Sequence, residues 1–144
     1  MKRVPLLTPI VALSLCLGGL ALAADKPADE ARTAQVERGR HIIEGVSMCN
    51  DCHTPVLENG QLDEANRLMG AVLPFRPSSE MPWAEVAPQI AGLPTMTDDD
   101  AIHFFMSGER PGGVPPRPPM PRYRMSRDEA EAVVAYLRSL GSKG

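Results

Sequence analysis

The chain has 144 residues, 43% of them hydrophobic, and a formal net charge of −3. That length accommodates one small domain rather than two, and the acidic balance argues against bulk nucleic-acid binding. Large rings make up only 4% of residues, so a domain of this size would gain from a bulky apolar group at its centre.

Met1-Lys2-Arg3 is a short basic start, Val4 to Leu22 is almost wholly apolar, and Ala21-Leu22-Ala23 offers small residues for cleavage. Residues 1–23 are therefore read as a signal peptide, which predicts a periplasmic or otherwise exported protein with no membrane anchor after cleavage. A retained anchor is the alternative, because the apolar run is long enough to span a bilayer. Pro5, Pro9, Gly18 and Gly19 inside the run favour cleavage. Cys16 invites a lipidation reading, but Leu15 stands where a small residue is expected. Residues 24–34 are polar and alanine-rich and are predicted to form a flexible lead-in to one domain over 35–144.

The first predicted helix runs from Ala34 to Val46, where Val36, Gly39, Ile43 and Val46 step by three, four and three along one face. Gly39 costs about 1 kcal/mol against Ala in a helix interior. Its presence predicts a close crossing with a second helix. After "MCNDCHTP" (48–55), prolines at 55, 74, 77, 82, 88 and 94 interrupt the chain and no sustained alternation suggests a strand. A short helix within 62–69 fits the pattern. "TDDDAIHFFMSG" then predicts a helix with Thr97 as N-cap and Gly108 as its stop, burying Ala101, Ile102, Phe105 and Met106. Its Asp98–Asp100 triplet suits the positive end of a helix better than a metal site. "RPGGVPPRPPMPRY" (110–123) is stiffened by proline. The last helix opens with "SRDE", a capping box of Ser126 and Glu129, and buries Ala130, Val133, Val134, Leu137 and Leu140 before Gly141. The predicted fold class is all-α.

Cys49 and Cys52 are the two cysteines beyond the leader, and His53 follows directly. Three chemistries fit two thiols at this spacing. Zinc is poorly served, because adjacent Cys52 and His53 wrap awkwardly around one ion and only His41 and His103 remain to assist. A redox dithiol belongs at a helix N-terminus, usually in a domain with a sheet. Covalent haem accounts for every feature: Cys-x-x-Cys-His supplies two thioether sulfurs and one imidazole to the iron, and it leaves no thiol over.

"GRHIIEGVSMCNDCHTP" resembles the N-terminal haem-binding segment of class I c-type cytochromes, and "PPMPRYRMSRDEAEAVVAYLRSL" resembles their methionine loop and final helix. The resemblance implies a cytochrome c-like helical fold around one haem c, bound through Cys49 and Cys52, with His53 as one axial ligand of the iron. It also implies single-electron transfer rather than catalysis. The segment 56–94 departs from the smallest members of that family.

The second axial position has several candidates. Met48, Met69, Met81, Met96, Met106, Met120 and Met125 all lie beyond the leader, and methionines in small domains are usually packing. Met120, in "PPMP" shortly before the final helix, stands where the family pattern places its thioether. Pro118, Pro119 and Pro121 restrict the unfolded freedom of that loop, which suits a weak iron–thioether bond. An open sixth position, giving a small-ligand sensor or a peroxidase-like enzyme, is the alternative. A cytochrome subunit of a larger dehydrogenase or reductase is a third reading. The expected partners are redox proteins, acidic at the docking face, because Arg110, Arg117, Arg122, Arg124 and Arg127 crowd the proposed ligand loop.

Overall fold

The computed structural model describes residues 28–141. The proposed signal peptide, the first residues of the lead-in and Cys16 lie outside the described residues. Four helices, α1 (Ala28–His41), α2 (Asn50–His53), α3 (Asp98–Ser107) and α4 (Arg127–Gly141), carry the fold. An antiparallel ladder of β1 (Ala71–Val72) and β2 (Val86–Ala87) pairs Ala71 with Ala87 and Val72 with Val86. The molecule is thus an all-α protein with one minimal hairpin in its proline-rich middle.

α1 begins at Ala28, inside the predicted lead-in and earlier than the expected start at Ala34. Asp29 and Glu30 in the first turn suit the helix dipole. The helix is exposed as far as Gln35, so its first turns add nothing to the buried core among the described residues.

From Ile42 to Val46 the helix widens into a π turn. The Ser47 amide reaches the Ile42 carbonyl at 2.8 Å and the Cys49 amide the Ile43 carbonyl at 2.9 Å. The extra residue per turn rotates the apolar face. Ile42 and Ile43 point into the core, while Val46, predicted to be buried, is 63% exposed.

α1 crosses α4 at Gly39, as the glycine predicts. A Cβ there would stand 1.9 Å from the Ala132 carbonyl oxygen and 2.8 Å from Tyr136 Cβ. The capping box of α4 is present: the Glu129 carboxylate accepts from the Ser126 amide at 2.9 Å, and Ser126 Oγ accepts from the Glu129 amide at 3.4 Å. Ala130, Val133, Val134 and Leu137 are buried toward the core. Ala132 and Tyr136 are buried as well, on the side that meets α1.

α3 has its predicted ends. Thr97 accepts from the Asp100 amide, and Gly108 closes the helix at φ 71°. The helix buries Ala101, Phe104 and Phe105, with Ile102 and Met106 at the margin. The two rings meet edge to face at 5.4 Å. The helix expected within 62–69 is a single 3-10 turn, Glu64–Asn66, capped by the Asp63 side chain.

These elements enclose one core that includes Ile43, Leu68, Leu93, Phe104, Val133 and Leu137, and Cys49 belongs to it. The Cys-x-x-Cys-His segment is therefore anchored in the core through Cys49 rather than hung on the surface.

Candidate haem site

The π turn delivers the chain to Met48, whose φ of 50° turns it sharply into α2. α2 is one turn long, and its amides reach back to Cys49: Cys52 N to Cys49 O is 3.3 Å and His53 N to Cys49 O is 2.9 Å. Cys49 is buried, Cys52 half-buried and His53 buried, so both thiols and the imidazole share one helical turn at the core boundary.

The thiols are free. Burial pushes the Cys49 thiol up to about 11, and burial with the nearby Asp51 carboxylate raises Cys52. Both are therefore protonated thiols at neutral pH, the opposite of the activated thiolate that a redox dithiol needs. Among the described residues no cluster of three or more His, Cys, Asp or Glu side chains is arranged to hold a metal ion. The zinc and dithiol readings gain no support from this geometry.

His53 is oriented from far away in sequence. Its Nδ1 lies 2.7 Å from the Pro88 carbonyl oxygen. An acceptor there fixes Nδ1 as the protonated nitrogen and leaves Nε2 with its lone pair outward from that bond. Burial lowers the affinity of the ring for a second proton, against the pull of the carbonyl, so the ring stays neutral and able to ligate.

Two features bring Pro88 to this position. Gly70 donates its amide to the His53 carbonyl at 2.8 Å. With φ at 93° and no side chain, it lets the 87–89 backbone approach: a Cβ on Gly70 would lie 2.9 Å from both the Ala87 oxygen and the Gln89 nitrogen. Thr54, 1% exposed, accepts from the Leu68 amide at 2.9 Å and so holds the 66–70 loop against the haem-binding turn. Leu68 in turn accepts from the Ile90 and Ala91 amides.

Sequence reading missed Thr54, Gly70 and Pro88 as site residues. Of the three, Gly70 alone carries a local signal, a lone glycine between apolar residues.

The methionines separate by burial. Met48, Met69 and Met81 are exposed, whereas Met96, Met106, Met120 and Met125 pack against the core. Met106 lies on α3 as expected. Met120 sits in a loop fixed at both ends, with the Ala84 amide on the Pro118 carbonyl at 2.8 Å and the Met125 amide on the Phe105 carbonyl at 3.0 Å. His41 and His103 are exposed on α1 and α3.

Trp83 supplies an independent test of whether haem fits. Its Nε1 is buried without a hydrogen-bond partner, next to Phe75 at a ring separation of 5.9 Å. A buried indole N–H without an acceptor costs roughly 1–3 kcal/mol. Trp83 adjoins Ala84, whose amide is tied to the Pro118 carbonyl in the Met120 loop, and an anionic or carbonyl-bearing group against the indole would satisfy the orphan donor. Two free thiols, a neutral imidazole with one nitrogen in use, and an unsatisfied donor suit a porphyrin with carboxylate side chains.

The family model described as Cytochrome c matches residues 36–141. The chain belongs to the cytochrome c family. No curated protein matches it at a significant level. Membership makes this cytochrome a haem-binding electron-transfer protein, with covalent haem c as its implied cofactor and Cys49, Cys52 and His53 fitting the attachment motif. The matched span runs from the inward-facing Val36 of α1 to the end of α4, and so takes in both helices that meet at Gly39.

Proposed function

We propose that this cytochrome is an exported monohaem electron carrier with His53 and Met120 as the axial ligands of its iron. The observation that carries the reading is the buried Cys49-x-x-Cys52-His53 turn, with His53 Nδ1 engaged by Pro88 at 2.7 Å and both thiols free. Haem, when bound, supplies the one-electron couple.

The chain's own residues attach, orient and shield. Cys49 and Cys52 would hold the haem as thioethers, each thiol supplying its sulfur and its hydrogen to the two carbons of one vinyl group, with no leaving group and no change in electron count. His53 offers Nε2, held in place by Pro88. Met120, on a loop anchored from both sides, offers a thioether. Such ligation favours the ferrous state and raises the potential. Export is supported by the basic start, the apolar run 4–22 and Ala21-Leu22-Ala23.

Acidic redox proteins are the partners we propose. Of the five arginines near the ligand loop, Arg122 pairs with Glu109, Arg127 with Glu131, and Arg124 donates to the carbonyls of Ser107 and Tyr123. Arg110 and Arg117 are exposed and have no ion pair among the described residues, and they bracket the exposed Val114. A free carrier and a cytochrome subunit of a dehydrogenase or reductase both fit such a surface.

Intact-mass analysis tests the reading. Full-length protein made in a host with haem-attachment machinery should carry one haem, and Cys49→Ala/Cys52→Ala protein none. An unmodified wild-type mass, or stoichiometric zinc, would overturn it.

A further inference from the structure

The loop that carries Met120 is tied downstream to α3 through Met125 and Arg124, and upstream to the 84–85 segment through Pro118. Neither tie connects it to the haem-binding turn. Tyr123 makes that connection. Its hydroxyl donates to the Ser47 carbonyl oxygen at 2.9 Å, across 76 residues of sequence. Ser47 follows the π turn, where its carbonyl lies past the end of the helix and is free to accept. Among the described residues no other residue of 116–126 hydrogen-bonds to the segment 41–53.

We propose that Tyr123 is a positioning residue that latches the Met120 loop to the Ser47–Cys49 end of the haem-binding turn, and so sets how firmly Met120 holds the iron. The proposal rests on Met120 as the axial ligand.

Three features of the site favour a latch over incidental packing. Met120 and Tyr123 are separated by Pro121 and Arg122 alone, so little slack lies between the latch and the ligand. The ring is half-buried against the core to which Cys49 also belongs. Burial pushes the phenol up to about 12, so it remains a donor throughout the neutral range. A thioether bond to iron is weak, and its persistence depends on a loop already ordered. Losing one anchor releases the loop without removing any ligand.

The test compares Tyr123→Phe with wild-type holoprotein, using imidazole titrated against ferric protein as the probe of an opened sixth position. One neutral hydrogen bond translates into imidazole binding about five-fold tighter, with a weakened thioether band and a lower midpoint potential. Tyr136→Phe is the control. That hydroxyl bonds Glu44 at 2.5 Å, away from the methionine loop, so its loss should lower thermal stability and leave imidazole affinity unchanged.

Equal imidazole affinity in Tyr123→Phe and wild type would overturn the proposal. So would the same gain in both tyrosine variants, which would indicate general loosening. Failure of Tyr123→Phe to attach haem would also count against it, since the ring and its packing are retained. Met120→Ala is measured alongside. If it keeps the thioether band, the ligand assignment fails. If it loses the band while Tyr123→Phe behaves as wild type, the latch alone fails.

Discussion

His53 shows how one side chain acquires its role from distant backbone. Its position next to Cys52 is local, but its tautomer is set by the Pro88 carbonyl, which Gly70 allows to approach. Nothing in the sequence near position 53 reveals this, because a backbone carbonyl carries no residue-type signature. Met120 is the complementary case, named from its proline setting and its place before the last helix. Met120→Ala should leave covalent attachment intact, lower the midpoint potential and let carbon monoxide bind ferrous iron readily. Met125→Ala and Met96→Ala should do much less. If Met125→Ala instead removes the thioether band, the ligand lies one turn further along the chain.

The helices divide into those whose geometry is written locally and those bent by their neighbours. α3 and α4 carry their caps in sequence, Thr97 and Gly108 for one and Ser126 with Glu129 for the other, so their bounds were readable. α1 was readable at Gly39 and misread at Val46. A period of 3.6 predicts burial of Val46, whereas the π turn adds a residue and turns it to solvent. That deviation releases the Ser47 carbonyl and aims Cys49 into the core, so the misreading falls at the functional site.

The crossing of α1 and α4 is also braced from outside. Glu44 binds Arg40 at 3.0 Å, Tyr136 at 2.5 Å and Arg67 directly, linking both helices to the 64–68 loop. Gly39→Ala should be severely destabilising, by about 3 kcal/mol or more, because the added methyl meets backbone rather than a flexible side chain. Denaturant unfolding of the holoprotein measures it. A loss below about 1 kcal/mol, the size of a generic surface effect, would mean that the two helices part without strain.

Taken whole, the molecule is an acidic protein that carries a cluster of arginines around the Met120 loop. The sequence placed five arginines there, and the fold commits three of them internally, which charge counting along the chain does not show. Arg110 and Arg117 are exposed and make no ion pair among the described residues, which is why the proposed docking face centres on them. The double variant Arg110→Gln/Arg117→Gln should slow second-order electron transfer with an acidic redox protein and flatten its dependence on salt. The Debye length falls from about 10 Å at 0.1 M to about 3 Å at 1 M, so steering by these charges weakens over that range. Unchanged rate and salt slope in the variant would remove this face from docking. The hairpin, Trp83 and the Pro88 carbonyl were illegible in sequence for a common reason: repeated prolines in the middle segment erase periodicity without stating where the chain goes.

The absorption spectrum of the purified full-length protein, recorded in the ferric and ferrous states, bears on attachment and ligation together. One low-spin, six-coordinate c-type haem in both states, with a thioether charge-transfer band in the ferric form, is the expected result. A spectrum without haem, or a high-spin ferric iron lacking that band, would contradict the assignment of this protein as a His53/Met120 electron carrier.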